Sequence, residues 1–246
     1  VYVLFSYWFY LTMTGSPFEF DPGDVGFYNE MGRYGASLLR DGHWNLFSAF
    51  VDYSGADYSD LGYPLYLSFV YLLSGDSILV ARLVKAIWSA WTALLIYKLA
   101  VRNFGESTGR IAGVLCMLMP NLIYYCGLHL KEIEMVFLAV LFAERADYIL
   151  RRGKLTFGPT CALMLIAGAV FTFRTALAAV LVLAFLCALL LSSTRVVGWK
   201  RRILLVAVAA LVVGVVMLNN TSIGNSVRSM WETRGSEQKG NMEWRA

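Results

Sequence analysis

Long apolar runs, separated by short polar connections, constrain this chain more than any other feature. A helix needs about 20 mostly apolar residues to cross a bilayer, because its backbone polar groups must all pair within the segment. Hydrophobic residues make up 58% of the chain and charged residues only 15%, which is typical of a membrane protein. The runs cover residues 1–14, 78–101, 111–128, 133–150, 155–173, 175–194 and 203–218. The sequence therefore predicts an all-α integral membrane protein, a multi-span helical bundle of about seven transmembrane helices.

A polar segment, residues 15–60, lies between the first two runs. Within it, apolar side chains recur at roughly helical spacing, which indicates an amphipathic helix. These side chains belong to Val25, Phe27, Tyr28, Met31, Tyr34, Leu38 and Leu39. The apolar stretch that follows, residues 61–74, is too short to cross the membrane easily and is expected to lie in the interface. We therefore expect an outer loop of amphipathic interfacial helices between the first two spans.

The positions of Lys and Arg predict the orientation, because these residues concentrate in short cytoplasmic connections. Three short connections carry them here: Lys98, Arg102 and Arg110; Arg151, Arg152 and Lys154; and Arg195, Lys200, Arg201 and Arg202. Segment 15–60 instead holds eight acidic residues and two basic ones. We expect the three basic connections to face the cytoplasm. The acidic segment, the turns at 128–131 and 173–175, and the tail from 219 onward then face the opposite side.

The distribution of charge and the positions of the cysteines argue against two functions, nucleic-acid binding and a Cys–His metal site. The formal net charge of +4 does not indicate a nucleic-acid partner, because the basic residues lie beside apolar runs. The four cysteines, Cys116, Cys126, Cys161 and Cys187, fall within apolar runs, with no CxxC spacing and no nearby His. We interpret them as small buried hydrophobic residues.

Several short motifs follow one another in a characteristic order. They are Asp24-Val25-Gly26-Phe27-Tyr28, Gly35-Ala36-Ser37-Leu38-Leu39-Arg40-Asp41-Gly42-His43-Trp44, Tyr63-Pro64-Leu65-Tyr66, Gly75 before Ala81-Arg82-Leu83, Phe104-Gly105 and Pro120. This order resembles the GT-C fold glycosyltransferases. It is most similar to the branch that contains the protein O-mannosyltransferases and the lipid A aminoarabinose transferases. The resemblance extends over residues 1–218, and the order of the degenerate motifs carries it.

The resemblance implies an enzyme that takes a sugar from a polyprenyl-phosphate donor, with inversion at the anomeric carbon. The acceptor, a glycan, a lipid or a protein, would be used on the outer face. Residues 1–218 would form the transmembrane module, with 15–74 as its first outer loop, and 219–246 would begin a further outer loop that the sequence cuts short. The compact loops and the nearest-looking branch favour a bacterial inner membrane, with the active site on the periplasmic side.

Inverting transfer needs a base for the acceptor proton and a cation for the departing phosphate. By resemblance, Asp24 is the expected general base, because it precedes Tyr28 by four positions. The alternative is that Asp24 is only a helix N-cap. Asp21 and Glu19 lie close enough to replace it, although we interpret both as solvated loop acids.

Glu132 is the expected second acid, at the outer end of a span. The alternative, that it caps the helix it begins, carries equal weight. Glu134 is the weaker candidate, since it points about 200° around the helix from Glu132. Asp24 and Glu132 could also supply oxygen ligands to a divalent metal. Nothing in their spacing requires one, so no cofactor is certain.

The donor phosphate needs cations near the outer face. Arg174 interrupts an otherwise apolar region and is the expected contact, with snorkelling to lipid headgroups as its alternative. Arg82 and Lys85 share a helix face and could form a second contact or simply anchor the helix in the interface. The remaining expected substrate-binding residues are Tyr28, Tyr63, His129 and Lys131.

Two other classes of function stay open at this point. A multi-span transporter or lipid flippase would also show sparse charge within its spans, but it usually carries internal repeats or broken helices at the membrane midplane. The sequence shows no such repeat. A non-catalytic membrane subunit would keep the spans and tolerate loss of the outer acids.

Overall fold

Helices form every regular element in the part of the chain that the computed structural model describes, residues 1–19, 23–54, 60–152, 156–191 and 203. In chain order they are α1 (Tyr2–Thr14), α2 (Gly23–Arg40), α3 (Leu46–Ser54), α4 (Gly62–Ser74), α5 (Ile78–Phe104), α6 (Glu106–Met117), α7 (Pro120–Cys126), α8 (Glu132–Arg152), α9 (Phe157–Phe173) and α10 (Thr175–Leu191). One compact unit comprises Val1–Ala188. The second, Leu189–Ala246, is described only at 189–191 and 203.

The predicted span at 111–128 is divided into two helices, α6 and α7, which meet at an angle of 46°. Pro120 is the first residue of α7. Proline has no N–H to donate and disfavours a helical conformation in the residue before it. Met119 accordingly adopts an extended conformation, with φ −65° and ψ 115°. The expectation of one continuous helix is therefore corrected to a bent pair.

Only α5, with 27 residues, is by itself long and apolar enough to cross a membrane within the described residues. The bent pair α6–α7 passes the same test when its two helices are taken together. α9 and α10 are apolar but shorter, with 17 residues each. The count of seven spans stays a prediction. The run 204–218 and the basic residues Lys154, Arg195, Lys200, Arg201 and Arg202 lie outside the described residues.

The expected outer loop contains three helices, α2, α3 and α4. The amphipathic helix predicted there is α2, and it buries Val25, Tyr28, Met31 and Leu39 while Phe27 stays exposed. This buried face packs along α4, the helix expected to lie in the interface. α3 adds Phe50, whose side chain is fully buried in the cluster formed with α2.

Close packing between α2 and α4 depends on two glycines. A Cβ added at Gly32 would lie 2.8 Å from Cβ of Leu67 on α4. One added at Gly35 would overlap Ser68 and would lie 2.6 Å from Cζ of Phe50. Separations this short do not occur between real side chains, so only glycine permits the two helix backbones to approach this closely.

α5 is the central helix, in contact with α1, α4, α6, α7 and α8. Near its C-terminal end, Arg102 joins it to α8 through Glu144 at 2.6 Å and Asp147 at 3.1 Å. Near its N-terminal end lie the two cations predicted to share a face, Arg82 and Lys85. With a rise of 1.5 Å per residue, Arg82 and Arg102 are about 30 Å apart along the helix. This separation matches the thickness of a bilayer's hydrocarbon.

The interpretation of the cysteines as buried hydrophobic residues is correct for two of the four. Cys116 and Cys126 are buried, whereas Cys161 and Cys187 are exposed. The exposed pair lies on α9 and α10, helices that also expose large apolar side chains such as Leu165 and Leu183. On such helices an apolar sequence does not distinguish the face that packs inward from the face that points outward.

We expect Gly35→Ala to lower the free energy of unfolding by about 1–3 kcal/mol, because the added methyl group overpacks the contact with Ser68 and Phe50. Gly26→Ala on the same helix is the matched control, since its added Cβ meets nothing within 4 Å. Helix propensity predicts that this control is stabilised by up to about 1 kcal/mol. Thermal unfolding in detergent compares the two variants, and an equal midpoint for both would contradict the packing argument.

Candidate functional site

Most of the expected site residues meet at the N-terminal end of α5. There the segment after α1, helix α4, and the turn between α7 and α8 contact α5, and α2 packs on α4. This turn, residues 127–131, carries His129 and Lys131. The structure brings together Tyr28, Tyr63, Arg82, Lys85, His129 and Lys131, and all six side chains are buried.

Lys85 anchors the turn through hydrogen bonds to its backbone. Its side chain is 1% exposed, and its ammonium donates hydrogen bonds to the backbone oxygens of Leu128, at 2.9 Å, and Leu130. It also donates to the hydroxyl of Tyr63 at 3.3 Å and lies 3.9 Å from the carboxylate of Glu134. Three N–H donors thus have three oxygen partners. The geometry favours a structural role for Lys85 over the expected phosphate contact.

Arg82 lies one turn earlier on α5 and is fully buried. Its Nη2 donates to the backbone oxygen of Pro17 at 2.7 Å and lies 3.5 Å from Oε2 of Glu19. Its Nε and Nη1 have no hydrogen-bond partner in the described part of the chain. A buried guanidinium with unpaired donors has an unmet demand for an anionic or polar ligand.

Glu19 contradicts its interpretation as a solvated loop acid. Its side chain is 12% exposed. Oε1 accepts the backbone N–H of His129 at 2.7 Å, and Oε2 faces Arg82. This one carboxylate therefore connects the segment after α1 to both α5 and the turn. Asp21, the other replacement considered for Asp24, lies outside the described residues.

His129 is buried within a polar network. Its ring stacks on Tyr71, with Nε2 3.1 Å from the tyrosine hydroxyl, and that hydroxyl donates to Oδ1 of Asn29 at 2.9 Å. The tyrosine has a single proton to donate, so Nε2 of the histidine carries the hydrogen and Nδ1 is bare. Burial, reinforced by the charges of Lys85 and Arg82, lowers the pKa of His129 well below its ordinary value. The ring is therefore neutral near pH 7.

Lys131 occupies the mouth of the site. It pairs with the carboxylate of Asp60 and lies 5.4 Å from the centre of the Tyr28 ring. Burial opposes its charge, but hydrogen bonds with Asp60 and Tyr28 outweigh this and raise the pKa of Lys131 above its ordinary value. Asp60 holds a left-handed backbone with φ 79°, which is uncommon outside glycine. Strain of this kind concentrates at functional sites.

The two expected catalytic acids occupy different environments. Asp24 is exposed, in the first turn of α2, where the helix dipole favours a carboxylate. Burial raises the pKa of the Tyr28 hydroxyl, and the negative charge of Asp24 adds a smaller contribution in the same direction. Glu132 begins α8 and is half-buried, and its Oε2 has no hydrogen-bond partner in the described region. Glu134, the weaker candidate, is buried opposite Lys85.

Arg174 lies at the rim of the site. It is the extended residue between α9 and α10, and it is exposed. Its neighbour Phe173 packs 6.3 Å from the ring of Tyr63. Within the described residues the Arg174 side chain has no hydrogen-bond or ion-pair partner, so the structure does not join it to Arg82.

A divalent metal at Asp24 and Glu132 stays a prediction. Among the described residues, no group of three or more His, Cys, Asp or Glu side chains is arranged to hold a metal ion.

An apolar groove of about 880 Å³ runs along α5 away from the buried cations. Its lining comes from α1, α5, α6 and α7. At one end it includes Tyr2, Ala86 and Cys126, and at the other Tyr97 and Arg110. Ala86 is four residues after Arg82, on the same face of the helix. Ala86 is the lining residue of α5 closest along the helix to Arg82, whose buried guanidinium is not itself part of the lining, and the walls of the groove are mostly hydrocarbon.

The sequence model of the dolichyl-phosphate-mannose-protein mannosyltransferase family matches residues 61–219, almost two thirds of the chain. The chain belongs to this family. Its membership confirms the resemblance to GT-C glycosyltransferases, which are membrane enzymes that use a lipid-linked sugar. The match includes Tyr63, the turn at 127–131 and Arg174, whereas Asp24 and Tyr28 precede it. No curated protein and no solved structure matches the chain.

Sequence reasoning considered Glu19 only as a replacement base, and it did not single out three further residues that the structure places in the site: Asn29, Asp60 and Tyr71. Tyr71 is eight residues after Tyr63 and thus on the same face of α4, a spacing that could have indicated it. Asn29 and Asp60 carry no local signal. Their positions depend on contacts between segments far apart in the chain.

We expect Lys85→Met to lower the free energy of unfolding by about 3–5 kcal/mol, because it leaves Glu134 buried without its cation. The carbonyls of Leu128 and Leu130 also lose their donor. Lys98→Met is the matched control on the exposed side of α5 and should stay within about 0.5 kcal/mol of wild type. Chemical denaturation in detergent measures both, and a similar small effect for the two variants would contradict the structural role of Lys85.

Stability should fall as the pH drops below about 6.5, the pKa of histidine in the unfolded chain, because the folded state resists protonation of His129. Between the lowered pKa of the folded state and that value, the unfolded chain binds one more proton. We expect His129→Asn to flatten the decline of the melting temperature between pH 7 and pH 5. His43→Asn removes the other, exposed histidine and should keep the wild-type slope. Equal slopes in all three proteins would exclude His129 as the source.

Proposed function

We propose that this chain is the membrane module of an inverting glycosyltransferase that takes its sugar from a polyprenyl-phosphate donor. The observation that carries this proposal is the buried guanidinium of Arg82, whose Nε and Nη1 have no hydrogen-bond partner among the described residues. Along α5 it lies one helical turn from Ala86, where the lining of an apolar groove begins. A polyprenyl phosphate is a long hydrocarbon that ends in an anion. The groove suits the first part of such a molecule and Arg82 suits the second.

The donor's phosphate would lie beside Nε and Nη1 of Arg82, where charge-assisted hydrogen bonds stabilise the negative charge that builds up on departure. Its prenyl chain would follow α5 past Ala86 along the groove. Lys85 and Tyr63 would support this site indirectly, because Lys85 fixes the turn that carries His129 and Lys131. Arg174, at the rim, remains available for an outer contact with the donor.

The acceptor would approach from the exposed side, where Asp24 lies in the first turn of α2. An oxygen of the acceptor attacks the anomeric carbon on the face opposite the phosphate. The new carbon–oxygen bond forms as the bond to the phosphate oxygen breaks, and that oxygen keeps the electron pair. Asp24 takes the acceptor's proton, and Glu132 supports the site as a second acid.

The two ends of α5 support an assignment of sidedness. Arg102 lies near one end and shares Asp147 with Arg151. Near the other end, about 30 Å away, Arg82 contacts the segment that leads into the acidic first loop. The bias of Lys and Arg toward the cytoplasm then directs the site outward. We propose the bacterial inner membrane, with the site facing the periplasm. The family's name makes mannose the first sugar to test and a protein the first acceptor.

We expect the purified protein in lipid nanodiscs to release polyprenyl phosphate from polyprenyl-phosphate mannose, or from another sugar of a hexose and pentose panel, when an acceptor is supplied. Asp24→Asn should lower kcat by about 100-fold or more, as loss of a general base does, with donor binding retained. Arg82→Met should weaken donor binding. Asp52→Asn, an exposed carboxylate on α3, is the control and should keep wild-type turnover.

Full turnover of Asp24→Asn would remove this residue as the base while leaving the transferase intact. No turnover of any donor by the wild type, with every acceptor class tried, would overturn the proposal. It would favour a transporter, a flippase or a non-catalytic subunit.

A further inference from the structure

We infer that Glu19 is a built-in counter-anion to Arg82 that limits how tightly the site binds the phosphate of its lipid ligand. This inference rests on the proposed function, since it assigns the phosphate to Arg82. It gives Glu19 a positioning and tuning role, which neither the sequence nor the family match assigns.

Glu19 faces one nitrogen of the Arg82 guanidinium, Nη2. Oε2 of Glu19 lies 3.5 Å from Nη2, the same nitrogen that donates to the backbone oxygen of Pro17. Nε and Nη1 are buried and without a hydrogen-bond partner among the described residues. Glu19 thus fixes the orientation of the guanidinium while leaving two donor groups free for a ligand.

The second carboxylate oxygen fixes Glu19 itself. Oε1 accepts the backbone N–H of His129 at 2.7 Å, and the side chain is almost buried. One oxygen therefore has a backbone donor, whereas Oε2 faces the cation at 3.5 Å and has no hydrogen-bond partner among the described residues. A carboxylate held in this way is poorly placed to take a proton from an acceptor, which separates its role from that of Asp24.

The negative charge of Glu19 determines its effect on phosphate binding. A phosphate that reaches Arg82 brings at least one negative charge close to a carboxylate that already compensates the same cation. Like charges in a partly desolvated site repel each other more strongly than in water. Glu19 therefore weakens phosphate binding. This effect aids departure of the polyprenyl phosphate product, and it leaves the buried cation paired when no lipid is bound.

The test compares wild type, Glu19→Gln, Arg82→Met and Glu30→Gln in detergent. Each protein is titrated with a short polyprenyl monophosphate and, separately, with the same prenol lacking the phosphate. Glutamine keeps the acceptor for the His129 N–H and removes only the charge. Glu30→Gln makes the same change at an exposed position on α2.

We expect Glu19→Gln to bind the monophosphate about tenfold more tightly than wild type, a change that structural damage would not produce. Arg82→Met should lose most of the affinity, and Glu30→Gln should match wild type. The prenol should bind all four proteins alike, because it carries no charge. In turnover assays, Glu19→Gln should show a lower KM and a lower kcat together, since the product leaves more slowly.

Equal or weaker binding of the monophosphate by Glu19→Gln would overturn the counter-anion role, while the difference between wild type and Arg82→Met would still support the proposed function. If wild type and Arg82→Met bind the monophosphate no better than the prenol, the phosphate site fails, and the inference fails with it.

The unpaired cation could prevent Glu19→Gln from folding, so the double variant Glu19→Gln with Arg82→Met provides an independent test. Removing both members of a buried pair is far less destabilising than removing one. Folding of the double variant alone would support charge compensation by Glu19. Failure of both to fold would show that compensating the charge of Arg82 does not account for the role of Glu19, and would overturn the inference.

Discussion

The burial of two cations on α5 is the constraint on which the rest of the site depends. An ammonium or a guanidinium that leaves water loses several kcal/mol of hydration unless oxygen atoms replace it. For Lys85 those oxygens are the carbonyls of the 127–131 turn, the Tyr63 hydroxyl and Glu134. α5 can therefore pack only where α4, the turn and the start of α8 already supply them. The turn, in its fixed form, carries His129 and Lys131 and leads directly into Glu132.

The glycines of α2 determine a second set of positions. Because Gly32 and Gly35 let α2 lie close against α4, the ring of Tyr28 reaches that of Tyr63 in an edge contact at 5.2 Å. Tyr28 then lies beneath Lys131. The exposed carboxylate of Asp24 stands one turn earlier on the same helix. The result is a group of buried cations beneath an exposed carboxylate, Asp24, on the same side of the molecule as α2.

Local sequence signals predicted much of the fold and part of the site. Apolar runs of sufficient length located α1, α5, α8, α9 and α10, and helical spacing located α2. Pro120 was visible, yet its bend was not anticipated, because a proline ends or merely kinks a helix according to what packs beside it. The common face of Arg82 and Lys85 followed from their spacing. The sequence did not predict which N–H donors of these two side chains remain unpaired, because their partners, Glu19, Leu128 and Leu130, are distant in the chain.

The bend between α6 and α7 has a further consequence for access to the groove. Met117 and Ile123, on either side of the bend, both line the groove beside α5. Two short helices that diverge by 46° cannot both run parallel to α5. A hydrocarbon ligand of the proposed kind would then enter the groove laterally from the surrounding lipid leaflet. Its arrival would be governed by two-dimensional diffusion within the bilayer, and the fluidity of the host membrane would become a determinant of turnover.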